Sequence, residues 1–229
     1  MTIDDIPVIA PYFRFVTTNT CDFTVGGMFM WRDYFHMAWQ VKDGVLYSTL
    51  TGEDGNLYYN LPLGEDIPAG LRQCLTRHPE RPGRFCTIPE AELPLFRALP
   101  GRVEITEEEN FADYLYSAEE MIRLSGKKFS GQRNHINKFR KLYPDAAFRP
   151  LGKSDLPLIT QFFRDYEAVF TKASDSAKNE LRCAEKMLRM TGSPHFLVGG
   201  MELDGRLLSV AMAERCGDTL QIHIEKDLY

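Results

Sequence analysis

Near the end of the chain, Gln221, His223 and Glu225 alternate with Leu220, Ile222 and Ile224. Successive side chains of a strand point to opposite faces, so this spacing predicts three polar groups on one face and three apolar groups on the other. His223 and Glu225 are the best acid/base constellation the chain offers. Should Glu225 line an apolar cleft, desolvation would raise its pKa toward neutrality, and Lys226 would oppose that shift. The same alternation also describes a half-buried strand with a polar outer face.

A second constellation lies mid-chain. Residues 104–120 hold Glu104, Glu107, Glu108, Glu109, Asp113, Glu119 and Glu120 without a Lys or Arg. Residues 123–141 then hold Arg123, Lys127, Lys128, Arg133, Lys138, Arg140 and Lys141 without an acid. In a chain of net charge −5 this is a local field of seven positive charges, more if His135 protonates, and it would attract a polyanion such as an RNA backbone. Phe129, Ile136, Phe139 and Tyr143 recur at spacings of seven, three and four, which predicts a helix with one face in the core and the basic residues fanned over the rest. The alternative is a solvated helix neutralised by the acidic stretch before it.

These residues must be positioned by the elements around them. An aromatic-rich helix is predicted within 22–37, where Gly26-Gly27 beside Trp31 and Tyr34 could shape a pocket, although such a helix is more often core. Asp43-Gly44 and Asp54-Gly55 punctuate a three-strand antiparallel meander ending in Leu57-Tyr-Tyr-Asn-Leu. Helices are predicted over 66–77 and 89–99. The last third repeats the plan: a short strand from Ala147, helices over 156–170 and 177–190, then strands from His195 to Leu203, Arg206 to Glu214 and Leu220 to Glu225, with turns at Asp204-Gly205 and Gly217-Asp218. Leu181, Ala184, Met187 and Leu188 share one face of the second helix. Two meanders with the same turn chemistry suggest a tandem repeat of one α/β unit, against two unrelated hairpin regions.

Several chemistries are excluded. The five cysteines are scattered and form no CxxC pair, so neither a disulfide framework nor a zinc finger is suggested, and a reducing cytoplasm is the simplest compartment. No histidine pair has metal-ligand spacing, so no metal site is expected. There is no GxSxG elbow, Walker loop or Rossmann fingerprint, and Cys216 has no evident activating partner. The start is acidic where a secretory signal would be basic, and no uncharged apolar run is long enough to cross a bilayer, so a lipid contact is expected only at a membrane surface.

The order strand, helix, helix, three antiparallel strands resembles the GNAT acetyltransferase superfamily. The fold class expected is therefore α+β, with tandem GNAT units of mainly antiparallel sheet flanked by helices. Residues 1–112 would form the first unit, 113–145 a basic connecting helical segment, and 146–229 a second, incomplete unit. In that fold a Glu on the fourth strand often acts as base, and Glu225 or His223 falls in that place if this strand is the fourth. The usual coenzyme A loop is not matched: Arg189-Met-Thr-Gly192-Ser-Pro194 fails at its last position and precedes the second strand.

The run Asp113-Tyr-Leu-Tyr116, Leu124-Ser-Gly-Lys-Lys128, Gln132-Arg-Asn-His-Ile-Asn-Lys-Phe139 and Tyr143-Pro144 resembles a bacterial family related to the C-terminal domain of phosphatidylglycerol lysyltransferases. Trp31 and His223-Ile-Glu225-Lys226 extend the likeness over nearly the whole chain. The resemblance implies a transferase that takes an activated amino acid from aminoacyl-tRNA. Lys127, Lys128, Arg133 and Lys138 would meet donor phosphates, with Asn134 or His135 as hydrogen-bonding partners, and a small-molecule or lipid amine or hydroxyl would be the acceptor. Two alternatives stand beside it: a non-catalytic module binding a ligand, RNA or anionic lipid, and an acetyltransferase using acyl-coenzyme A. In this fold sequence should follow Tyr229, so the chain is expected to be a truncated product whose missing end would close the cleft.

Overall fold

The computed structural model describes residues 1–79, 81–170, 175–193 and 196–228. The chain starts with short helical turns that include α1 (Ile6–Ile9) and then forms α2 (Val25–Trp31). Strands β1 (Ala38–Lys42), β2 (Val45–Thr51) and β3 (Leu57–Tyr59) make an antiparallel sheet in that order. Asp43 and Gly44 both take left-handed φ, at 51° and 73°, as a two-residue hairpin requires of its central pair. Helices α3 (Ile67–Arg77) and α4 (Leu93–Arg97) follow, each with a proline in its first turn. Ile9, Phe23, Leu46, Leu61, Leu71 and Phe96 form the core of this half.

After α5 (Ala118–Arg123) and α6 (Ser130–Leu142), the second half builds β4 (Ala147–Pro150), α7 (Leu156–Phe170), α8 (Asp175–Met187), β5 (Phe196–Leu203), β6 (Arg206–Cys216) and β7 (Thr219–Asp227). The four strands form one antiparallel sheet in chain order. The two meanders are thus formed as their turn dipeptides foretell, and the chain is α+β with two antiparallel sheets. His195, expected to open β5, and Pro194 lie outside the described residues. The helix face predicted from Leu181, Ala184, Met187 and Leu188 is buried, against Phe162, Val210, Met212 and Ile224. Phe29 and Met30 of α2 lie in this same core, so a helix from the first half is built into the second.

Two expectations require correction. The apolar residues of α6 do not enter a core: none of the helix is buried, and Ile136 and Leu142 are 36% and 60% exposed. Periodicity establishes that a helix has an apolar face, not that anything covers it. Here the aromatics pack locally, with the Phe139 and Tyr143 rings 5.1 Å apart and the Lys128 ammonium 4.9 Å from the Phe129 ring centre.

The second correction concerns β7. Met212 pairs with Ile224 and Ala213 with Ile222, so His223 is an extra residue with no partner across the ladder. Such a bulge breaks the period of two. Gln221 and His223 face inward, Ile224 and Lys226 continue that inward face, and Glu225 is turned out to solvent. Ile222 is 54% exposed on the outer face with Leu220, Leu197 and Phe148, whereas Ile224 is 1% exposed. Ile224→Val should therefore cost about 1 kcal/mol and Ile222→Val close to none. Equal urea midpoint shifts for the two variants would contradict the bulged register.

Candidate active site

The inner face of β7 is anchored at three points. Lys226 pairs with Glu180 on α8 at 2.9 and 3.0 Å, Ile224 fills the core, and the Gln221 amide donates to the Asn19 carbonyl. Between these anchors the bulge aims His223 at the end of β6 and the start of α2.

There the chain makes a buried carboxylate–imidazole pair. Glu214 Oε2 lies 3.3 Å from His223 Nε2 and accepts a 2.6 Å hydrogen bond from the Gly26 backbone N–H. The side chains are 7% and 3% exposed. The first N–H groups of a helix have no intrahelical acceptor, and Glu214 supplies one across 188 residues of sequence. Thr24 caps the next: its hydroxyl accepts from the Gly27 N–H at 2.9 Å and donates to the Cys21 carbonyl at 2.8 Å. Both glycines are required sterically. A Cβ at Gly26 would stand 2.5 Å from Glu214 Oε2 and 2.9 Å from His223 Nε2, and one at Gly27 would stand 2.5 Å from the Cys21 carbonyl oxygen.

A carboxylate only accepts, so a contact from His223 Nε2 places the proton on that nitrogen and leaves Nδ1 as the basic one. The geometry can thus hold an imidazole in one tautomer. Of the predicted pair, His223 enters this arrangement and Glu225 does not. Glu214 was not foreseen, and Gly26 was noted only as a residue that could shape a pocket. Their only signals were a lone acid closing the apolar run Val210-Ala-Met-Ala and a Gly-Gly pair inside a helix.

The Cys21–Gly26 stretch also contacts the mid-chain motif. Asp113, the first residue of the Asp-Tyr-Leu-Tyr motif, accepts from the Cys21 N–H at 2.6 Å. Surrounding protein, and then the charge of Asp113, push the Asp22 carboxyl up to about 6. The folded state therefore binds this proton more tightly than the unfolded chain does. Its stabilising contribution is complete below the ordinary value of 3.8 and is lost as pH rises through about 6. Asp22→Asn should flatten the fall in stability between pH 4 and 6, read as the urea midpoint at each pH; an unchanged slope would contradict the assignment. Burial holds the Cys21, Cys74 and Cys86 thiols up at about 12 and Cys216 at about 11, so none of these offers a thiolate nucleophile near neutral pH.

The basic residues divide into two groups. Arg133 Nη1 donates to the carbonyls of Leu124 and Gly126, the former in the left-handed conformation that ends α5, so its fork holds a loop. Lys128 pairs with Glu120 at 2.6 Å, and Arg123 with Glu119 at 3.0 Å. Lys127, Asn134, His135 and Lys138 are exposed. The structure does not bring these residues together with His223 through any direct contact among the described residues; Asp113, in the same motif, bonds to Cys21 at the start of the stretch that leads to Gly26. Among the described residues no helix is long and apolar enough to cross a membrane, and no cluster of three or more His, Cys, Asp or Glu is placed to hold a metal ion.

Comparison with known proteins agrees with the motif. Residues 13–229 match the family model described as phosphatidylglycerol lysyltransferase, C-terminal. A solved conserved protein of unknown function from Bacteroides thetaiotaomicron VPI-5482 superposes with a TM-score of 0.84 at 25% identity, over 99% of this chain and 78% of that one. The C-terminal domain (DUF2156) of an Agrobacterium fabrum protein named for lysylphosphatidylglycerol synthetase superposes with a TM-score of 0.56 at 11% identity, over 98% and 68% of the two chains. No curated protein sequence matches the chain. With the family model spanning nearly its whole length, and its motif anchored beside the Glu214–His223 pair, the chain belongs to the phosphatidylglycerol lysyltransferase C-terminal family.

Proposed function

We propose that this chain is a group transferase that moves an aminoacyl or acyl group from a carrier to an amine or hydroxyl, with His223 as the proton-handling residue and Glu214 positioning it. The observation that carries the reading is the buried Glu214–His223 pair in a chain of this family. His223 Nδ1 would take the proton of the attacking amine or hydroxyl as the new bond to the carbonyl forms, and return it to the departing carrier oxygen. Glu214 would stabilise the imidazolium between these steps. Glu225, on the outer face, would serve only a substrate arriving from that side.

Two features support a tandem GNAT organisation, with units at 1–112 and 146–229 and the connecting segment 113–145 between them. The second half follows the order strand, helix, helix, three antiparallel strands, which makes β7 a fourth strand. The first half repeats the meander. For an aminoacyl-tRNA donor, Lys127, Lys138, Asn134 and His135 are exposed and available to phosphates, Lys128 would first have to leave Glu120, and Arg133 would act by shaping the loop.

The test is transfer of a radiolabelled amino acid from charged tRNA to amine, hydroxyl and anionic-lipid acceptors. His223→Ala should abolish turnover while leaving tRNA binding intact, and Lys127→Ala/Lys138→Ala should weaken salt-dependent binding by roughly tenfold. Failure to bind tRNA would end the aminoacyl-tRNA version, and tight binding of acetyl-coenzyme A would replace it with an acyl donor. The near-complete burial of His223 and Glu214 favours a second reading, a non-catalytic binding module in which the pair is structural. In that case RNA, ligand or anionic lipid would bind without transfer and regardless of His223→Ala.

A further inference from the structure

The first half holds a groove that the transfer reading does not use. Residues 38, 40 and 42 of β1 share a face with residues 45, 47 and 49 of β2, and α3 covers only part of it. The uncovered remainder is a cavity of about 390 Å³ lined by Gln40, Lys42, Tyr47, Gln73, Thr76 and Arg77, together with Cys74 at its buried side. It runs on into a second space of about 230 Å³ that shares Gln40, Tyr47 and Arg77.

Its chemistry has one sign. Lys42 and Arg77 are cations, and among the described residues no carboxylate lines either space, in a chain whose net charge is −5. In the larger space two side-chain amides and the Tyr47 phenol can donate as well, while the Thr76 hydroxyl donates to the Gln73 carbonyl. Burial raises the pKa of the Tyr47 phenol, as does Asp43 in the adjoining turn, so Tyr47 remains a donor at neutral pH. Arg77 is held in place from one side, because Nη2 donates to Gln40 Oε1. A guanidinium fixed in this way presents its other donors as a fork of the spacing that oxyanions accept. The volume holds a small molecule and not a polymer.

We propose that this groove binds a small organic phosphate ester, with Arg77 and Lys42 on the phosphate, Gln40 positioning Arg77, and the Tyr47 side of the groove receiving the organic part. The site is separate from the His223 region and from the basic segment, so its test is independent of the transferase reading.

The experiment titrates the full chain with inorganic phosphate and with glycerol 3-phosphate, by calorimetry and by amide NMR shifts. Saturable binding with Kd on the order of 1 mM or tighter is expected, with glycerol 3-phosphate the stronger and shifts centred on residues 40–47 and 73–77. Arg77→Ala should weaken binding at least about tenfold and Arg77→Lys by an intermediate factor, since charge without the fork is retained. Lys42→Ala, at an exposed strand end, should weaken it about threefold and keeps the test open if Arg77→Ala folds poorly. Lys127→Ala/Lys138→Ala should change nothing. No saturation by either anion, binding unaffected by both Arg77→Ala and Lys42→Ala, or shifts confined to 127–141 would each overturn the proposal.

Discussion

Gly26→Ala is expected to destabilise the protein by about 2–4 kcal/mol, although alanine is the better helix former by nearly 1 kcal/mol. The reason is distance. The added methyl would stand 2.5 Å from Glu214 Oε2 and 2.9 Å from His223 Nε2, inside the contact limit of both. Glu214 is confined, being almost buried and held by the Gly26 N–H that the methyl would displace it from. Its retreat would break two charge-assisted contacts at once and leave a charge away from water. Chemical denaturation would read the loss, and a variant as stable as the parent would mean that the carboxylate does not sit against α2.

A control separates overpacking from a lost interaction. In a Glu214→Ala background the nearer of the two clashes is gone and only the His223 ring has to give, so Gly26→Ala should cost less there. The two effects would then be strongly non-additive, as expected for groups in contact. Gly27→Ala meets backbone instead, at the Cys21 carbonyl, and should remain costly in either background.

This pair also marks how far the sequence could be read. Asp43-Gly44 and Asp204-Gly205 announce hairpins because left-handed φ at consecutive residues is a local demand that few dipeptides meet, and both turns take it. The buried stripe of α8 was legible for a similar reason, since the helical period is local. The bulge at His223 was not. It arises from register against β6, so the alternation Gln221, His223, Glu225 looks uninterrupted until the partner strand is present. Glu214 was invisible as a site residue because its partners are Gly26, 188 positions away, and a histidine on another strand. The apolar stripe of α6 shows the complementary failure: the period was read correctly, but its exposure depends on what lies opposite. Of the residues predicted for donor contacts, Arg133 has a second role that residue type does not announce. Arginine serves backbone carbonyls as well as phosphates, and here it closes the Leu124–Gly126 loop.

Glu214→Ala should have the larger effect, about 3–5 kcal/mol, because it leaves a buried N–H of α2 without its acceptor and His223 Nε2 without its partner. Glu214→Gln distinguishes structure from chemistry. Its amide oxygen can still accept from Gly26, so most of the stability should return, to within about 1–2 kcal/mol of the parent. The amide cannot stabilise an imidazolium as a carboxylate does, and its own N–H₂ competes to be the donor facing His223 Nε2. That would favour the other tautomer and draw Nδ1 into carrying the proton. If His223 handles the proton, Glu214→Gln should fold and bind donor normally while turnover falls by about two orders of magnitude or more. If the pair only ties β7 to α2, turnover should follow stability, and Glu214→Gln should be nearly as active as the parent. The amide variant therefore decides whether this buried pair is a device for moving protons or the clasp that joins the two halves.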